Sequence, residues 1–331
     1  MLPPSGIVLA PLAGGPSTPE LAAAVSNAGG LGFLAAGYLT PAALAEQVRR
    51  ARALTREPLG INLFVLDDVE VDDNAIAAYA RELEPEAHAR GARLGRPRFD
   101  DDWLDAKLAI VSAVPVEVVS TTFGCLAPDA IAHLQRGGTR VWATVTTVRE
   151  AAVARDAGVD ALVVQGPEAG GHRGTWSSEG WDDGAGATPL LELIAAIGDR
   201  LPLVAAGGIA DRDGVTAALA AGARAVQAGT AFLLCPEAGT NEPHRRSVRA
   251  GGETAFTRAF TGRAARGIVN RFMLAHPQAP SAYPHIHHLT APLRAAAREA
   301  GDADGINLWA GVNVARAEER PAAEIVERLR P

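Results

Sequence analysis

Short apolar runs alternate with Ala-rich stretches of helical period along most of the chain. The runs are Ile7–Ala10, Leu31–Leu34, Leu59–Leu63, Val116–Ser120, Arg140–Thr144, Ala161–Val164, Leu203–Ala206 and Ala225–Gln227. Runs of this kind suit strands covered on both faces, and their alternation with helical stretches predicts a parallel βα array. Eight such units predict an α/β fold of the TIM (β/α)8 barrel class, although the strand count is also compatible with an open sheet.

Helix boundaries are legible in places. Ser17 or Thr18 is placed to cap a helix with Pro19 in its first turn, and Thr40-Pro41 repeats the arrangement. Asp211 can cap the helix after Gly207-Gly208, while Gly158 and Gly222 read as C-terminal stops. Two stretches exceed a βα unit. Residues 66–110 are charged and helical and hang off the third unit, so residues 1–235 are expected to form the barrel with this insertion. Residues 236–305 contain Arg-rich helices and read as a substrate-side insertion or lid. Residues 306–331 return to the barrel and end in a helix over about 315–330.

Composition narrows the partners. The 331 residues are 48% hydrophobic, enough for one large core, and the net charge of -7 disfavours nucleic acid. Cys125 and Cys235 lie far apart without metal-ligand spacing, which suits free thiols in a reducing compartment. The N-terminus lacks the pattern of a signal peptide, and no run reaches the ~20 apolar residues of a membrane span. A cytoplasmic protein without a membrane partner is expected, and a homo-oligomer is left open. The single lysine, Lys107, falls in a helical segment away from any strand end, which argues against Schiff-base chemistry.

The segment LPLVAAGGIADRDGV is a strand, two glycines and a capped helix. Gly207 and Gly208 let backbone approach a ligand, and the helix start offers N–H groups and a positive dipole end to an anion. The next unit, RAVQAGTAFL, places Gln227, Ala228, Gly229 and Thr230 at the turn into a second helix. Such glycines can serve merely as tight turns. Two in succession after strands seven and eight of a barrel favour a phosphate site. A formal G-x-G-x-x-A at Gly30, Gly32 and Ala35 lies within a strand rather than before a helix, and reads as packing.

The segment ALVVQGPEAGGHRGTW carries the candidate chemistry. Gln165 ends strand six, and glycines surround His172. Polar residues at strand C-termini face the site region of a barrel. An imidazole held in this frame can accept a proton from carbon or donate to developing charge, whereas an isolated loop histidine would read as solvated. Glu168 reads as a structural partner and Arg173 as a surface or anion contact. Pro284–His288 reads as a loop or helix start, and no metal site is expected. The arginines at 245, 246, 258, 263, 266 and 271 read as a solvated or internally paired face. Cys125 lies near the supposed site and reads as a bystander.

Four blocks, in order over nearly the whole chain, resemble the nitronate monooxygenases, also called 2-nitropropane dioxygenases. They are APLAGG, QGPEAGGHRG, AAGGI with QAGT, and TRAFTGRAARGIVNRF. The resemblance implies a flavin barrel that oxidises alkyl nitronates with O2 to a carbonyl compound and nitrite. It implies FMN contacts at Asn62, Gln165, Gly170, Gly208 and Gln227 through Thr230, with His172 as base or nitronate partner. The chain departs from family patterns at two substrate-side positions. Thr122 stands where some members have the histidine of SFHFG, and Val312 follows Trp309-Ala310-Gly311 where WAGQ is common. A protonated His172 would attract an anionic nitronate, and a neutral one would abstract the α-proton of a nitroalkane. Rival readings are an FMN-dependent enoyl-acyl carrier protein reductase, an NAD(P)H:quinone reductase, and a flavin-binding protein without turnover. A flavin-free enzyme using a phosphorylated metabolite is a further alternative.

Overall fold

The computed structural model describes residues 2–114, 116–176, 186–198 and 200–331. Strands β1 (Ile7–Leu9), β2 (Gly32–Ala35), β3 (Leu59–Phe64), β4 (Val118–Thr122), β5 (Arg140–Val145) and β6 (Ala161–Gln165) alternate with helices. A two-residue strand, β7 (Gly171–His172), follows, and then β8 (Leu203–Ala206) and β9 (Ala225–Ala228). The eight longer strands run parallel in the order β1-β9-β8-β6-β5-β4-β3-β2. A bridge between Val8 and Leu31 joins the two ends into a barrel. All eight expected strands are present. β4 starts two residues later than the expected Val116 and runs on through Thr122, because its polar end faces the barrel interior.

Side chains alternate across a strand, so one set fills the barrel and the other meets the helices. The lower interior is apolar: Val8, Phe33, Val118, Trp142, Val163 and Val204 form one buried cluster. A Cβ on Gly60 would lie 2.4 Å from the Phe33 ring, so this ring occupies the space a side chain would need. Two residues further along each strand the same inward alternation reaches Asn62, Ser120, Thr144, Gln165 and Gln227. The upper layer of the barrel is therefore polar. Gly32 has a packing role too, since its Cβ would collide with the carbonyl of Ala22.

Several predicted caps form. Thr18, Thr40 and Asp211 each accept a backbone N–H at the start of the helices Pro19–Asn27, Pro41–Leu54 and Arg212–Ala220. Gly158 ends its helix in the left-handed region (φ 92). The last helix is shorter than expected, Ala322–Leu329, because Pro321 interrupts the pattern; only a 3-10 turn, Val314–Arg316, precedes it.

The two long excursions meet above the barrel mouth. Ile76, Tyr79 and Leu83 of the helix Asp73–Ala89 share one buried cluster with Phe260, Phe272, Ile286 and Leu289. The helix Leu104–Ala113 behaves differently. Its Val111 is buried with the barrel residues, so it serves as the barrel helix before β4 rather than as part of the insertion. Strands β10 (Thr254–Thr257) and β11 (Ala265–Ile268) pair with β7 in a small antiparallel sheet. No helix among the described residues is long and apolar enough to cross a membrane.

Candidate functional site

A cavity of about 200 Å³, open to solvent, occupies the C-terminal end of the barrel strands. The expected cofactor-binding, catalytic and pocket residues line it: Asn62, Thr122, Gln165, Gly170, His172, Gly207, Gly208, Gln227, Ala228, Gly229, Thr230 and Trp309; Val312 does not.

The floor is the polar layer of the barrel. Asn62 Oδ1 accepts from Ser120 Oγ at 2.8 Å and from Thr122 Oγ1 at 3.0 Å, which turns its amide nitrogen toward the cavity. Gln227 is 9% exposed, and its Oε1 is buried without a partner among the described residues. Gln165 is committed elsewhere. Its Nε2 donates to the carbonyl of His172 at 3.0 Å, and its Oε1 accepts from Gly174 N at 2.8 Å. Both ends of this amide hold the histidine loop rather than a ligand.

The cradle differs from the one expected. Gly207 and Gly208 do adopt positive φ (128 and 66). The helix beyond them is closed to an anion, because the Asp211 carboxylate accepts its Gly214 N–H at 2.9 Å and itself pairs with Arg316. The second expected helix is a single 3-10 turn, Thr230–Phe232. A C-terminal strap completes the cradle instead. Gly311 N donates to Thr230 Oγ1 at 2.9 Å, and Asn313 Nδ2 donates to the carbonyl of Gly208 at 2.5 Å. With its oxygen already accepting, the Thr230 hydroxyl proton is available to an anion. No local pattern marked Asn313, and Gly311 stood only within the Trp309-Ala310-Gly311 block, since their role depends on contacts far away in sequence.

His172 sits in β7, opposite Ala265 of β11, so a sheet rather than a mobile loop sets its direction. Its Nε2 shares a hydrogen bond of 2.9 Å with Thr261 Oγ1, and its Nδ1 has no partner among the described residues. Rings of Trp309, Tyr283 and Phe123 surround the imidazole at 5.5, 5.6 and 5.9 Å. Burial, together with the positive charges of Arg263 and Arg294, pushes the His172 pKa down to about 3. The imidazole is neutral at neutral pH, so the protonated form weighed from the sequence does not apply.

Two arginines supply positive charge. Arg263 is 8% exposed and lies over the Phe123 ring at 4.0 Å; Arg294 is 8% exposed and donates to the carbonyl of His287 at 2.9 Å. Burial lowers both to about 10, which leaves them charged. Arg263 is therefore not part of a solvated face. Arg173 is likewise buried, and its guanidinium donates to the carbonyl of Gln165 at 3.1 Å. Arg245 and Arg271 do engage partners within the chain. Glu168 accepts Leu190 N at 3.2 Å through Oε1, and its Oε2 is buried without a partner among the described residues. Lys107 is not remote from strand ends, because its amine donates to the carbonyl of Ala36, just after β2, at 2.9 Å.

Comparison with known proteins agrees with this geometry. The family model for nitronate monooxygenase matches residues 3–331. A nitronate monooxygenase of Paraburkholderia phytofirmans is 40% identical, over 98% of this chain and 90% of its own length. The solved structure of nitroalkane oxidase from Streptomyces ansochromogenes is 48% identical with a TM-score of 0.95, covering 99% of this chain and 95% of that one. FabK from Thermotoga maritima shares the fold at 25% identity, with a TM-score of 0.75 over 98% of this chain and 91% of that one. The chain belongs to the nitronate monooxygenase family and is an oxidoreductase of that family.

Proposed function

We propose that this protein binds FMN and oxidises alkyl nitronates with O2 to a carbonyl compound and nitrite. The observation that carries the reading is one cavity with a glycine-framed cradle at one end and a neutral imidazole, open at Nδ1, at the other. The residues fit FMN. The unpartnered Gln227 Oε1 and the oriented Asn62 amide suit the polar edges of a flavin, and the loop amides of Gly207–Gly208 and Gly229–Thr230 suit its phosphate. Gly170 and Gly207 serve by close packing, and Gln165 serves by holding the histidine loop. FMN, when bound, would supply the electron acceptance that these side chains cannot.

The chain's own residues do the rest. Arg263 and Arg294 favour entry of an anion, while Trp309, Phe123 and Tyr283 keep water from the space beside His172. Neutral His172 presents Nδ1 as an acceptor, so it can take the α-proton of a nitroalkane; with a preformed nitronate it needs only to orient the substrate. Thr122 supports Asn62 at the position where some relatives have a histidine, so no second imidazole acts there.

The test is anaerobic mixing of purified protein with propionate 3-nitronate while flavin absorbance is followed, then admission of O2 and nitrite assay. Bleaching and nitrite support the reading. Colourless protein, or a yellow protein that nitronate leaves unbleached, refutes it. Bleaching by NAD(P)H with turnover of an enoyl thioester or a quinone would move the assignment to a reductase.

A further inference from the structure

One wall of the cavity belongs to a residue that no motif marked. Tyr38, in the loop after β2, lines it. Its hydroxyl accepts from Tyr283 Oη at 3.1 Å, and its own proton has no acceptor among the described residues. A hydroxyl that accepts one hydrogen bond donates the next more strongly. Burial pushes Tyr38 up to about 12, so it keeps that proton at working pH.

The position is enforced. Tyr38 has φ 68, a left-handed conformation unfavourable for a tyrosine, and Asp102 (φ 59) shares that strain. Asp102 Oδ1 accepts the Tyr38 backbone N–H at 2.9 Å, and its Oδ2 pairs with Lys107 Nζ at 2.7 Å. The same amine donates to the carbonyl of Ala36 at 2.9 Å. A single amine, 1% exposed, thus grips the Tyr38 loop both directly and through Asp102. The ring is fixed as well, stacked on His287 at 4.2 Å with an interplanar angle of 3° and edge-on to Phe64 at 5.4 Å. A buried ion pair is a poor source of stability compared with apolar packing, but it fixes geometry well.

We propose that Tyr38 is a substrate-binding residue whose hydroxyl donates to an oxygen of the anionic nitronate, and that the Asp102–Lys107 pair is the positioning device that holds it. The proposal rests on the nitronate reading above. It gives the substrate oxygens a neutral donor, while Arg263 and Arg294 supply the field and His172 stays free to accept a proton.

The test compares kcat and KM for ethylnitronate in the flavin-loaded wild type, Tyr38→Phe, the paired replacement Asp102→Asn/Lys107→Met, and the triple variant. Melting curves and flavin content verify folding. The pair is replaced together so that neither charge is left buried alone, and Asp102→Asn serves as the milder second variant. Loss of a hydrogen bond to a charged ligand should raise KM about ten- to hundredfold in Tyr38→Phe, with kcat changed less than about threefold. The paired replacement should raise KM similarly, and the triple variant should be no worse than Tyr38→Phe alone. Unchanged KM in Tyr38→Phe overturns the contact. An unaffected paired variant, or multiplicative effects in the triple, overturns the positioning role. A wild type inert toward nitronate refutes the nitronate reading and this proposal together, whereas an active wild type with an unaffected Tyr38→Phe refutes only this one.

Discussion

Replacing Gly170 by alanine isolates the contribution of the C-terminal strap. An added Cβ would lie 2.5 Å from both Ala310 C and Gly311 N, and 2.8 Å from Ala310 Cα. These are backbone atoms, so no rotamer change relieves the overlap. Normal carbon contacts begin near ~3.5 Å, so the strap must retreat by about 1 Å. Three hydrogen bonds then stretch toward breaking: Gly311 N to Thr230 Oγ1 at 2.9 Å, Val312 N to the Glu168 carbonyl at 3.1 Å, and Ala310 N to the Arg266 carbonyl at 3.3 Å. At roughly 1 kcal/mol each, the loss is about 3 kcal/mol, comparable to the usual cost of overpacking. A melting point lower by about 5 °C is expected. The freed Thr230 should also loosen the cradle and release flavin on desalting. Gly171→Ala is the control. Nothing lies within 4 Å of its Cβ, and φ is +78, so the cost is only left-handed strain, about 1–2 kcal/mol, with the strap in place. Melting curves and the ratio of flavin to protein absorbance read both effects. Wild-type melting and flavin content in Gly170→Ala would refute the reasoning.

Other perturbations test other parts of the site. With His172 held near 3, the neutral form needed for proton acceptance persists across the mildly acidic range, and kcat/KM with a nitroalkane should show no acid limb near 6.5 from this residue. A limb there would contradict the burial argument. His172, His244 and His287 are depressed to about 3, 4 and 2, so the unfolded chain binds protons below 6.5 that the native state refuses. Their contribution is complete above 6.5 and declines as pH falls, by up to about 1.4 kcal/mol per pH unit per histidine, partly offset by Asp102, which is raised to about 6. Equal urea midpoints at pH 7 and pH 5 would argue against this. Burial raises the Cys125 thiol to about 11, so alkylation at pH 8 should be slow and Cys125→Ser should keep kcat/KM within about twofold; rapid labelling with loss of activity would reverse the bystander assignment. Arg294→Gln should raise KM for an anionic nitronate more than for a neutral nitroalkane, and an equal change for both would show that its charge is not what matters.

How much of this was legible follows from the range of the forces involved. Strands covered on both faces carry a continuous apolar signature, and all eight could be read. The end of β4 could not, because Thr121 and Thr122 after the expected strand end at Ser120 look like a turn, while Ser120 and Thr122 hold Asn62 from within the barrel. Glycine turns were visible as backbone freedom. What closes them was not, since the strap joins Gly311 to Thr230 across 81 positions. Charged residues misled most. Arg173, Arg263 and Lys107 were read by residue type as solvated or peripheral, and all three are buried, with carbonyl oxygens, aromatic faces and the Asp102 carboxylate among the groups that receive their charges.

The placement of charge decides the division of labour in the site. An imidazole that served both to attract an anion and to accept a proton would need to be cationic for the first task and neutral for the second. Burial among Trp309, Tyr283 and Phe123 removes the cationic form of His172, and the nearby guanidiniums remove it further. Arginine keeps its charge under the same burial because its pKa starts so high: a fall to about 10 costs it nothing at neutral pH. The two guanidiniums keep positive charge near the site while His172 stays neutral, and the same surroundings make it a weak base. The aromatic shell therefore does two things at once. It holds His172 in its neutral form, and it leaves the positive charge to the arginines.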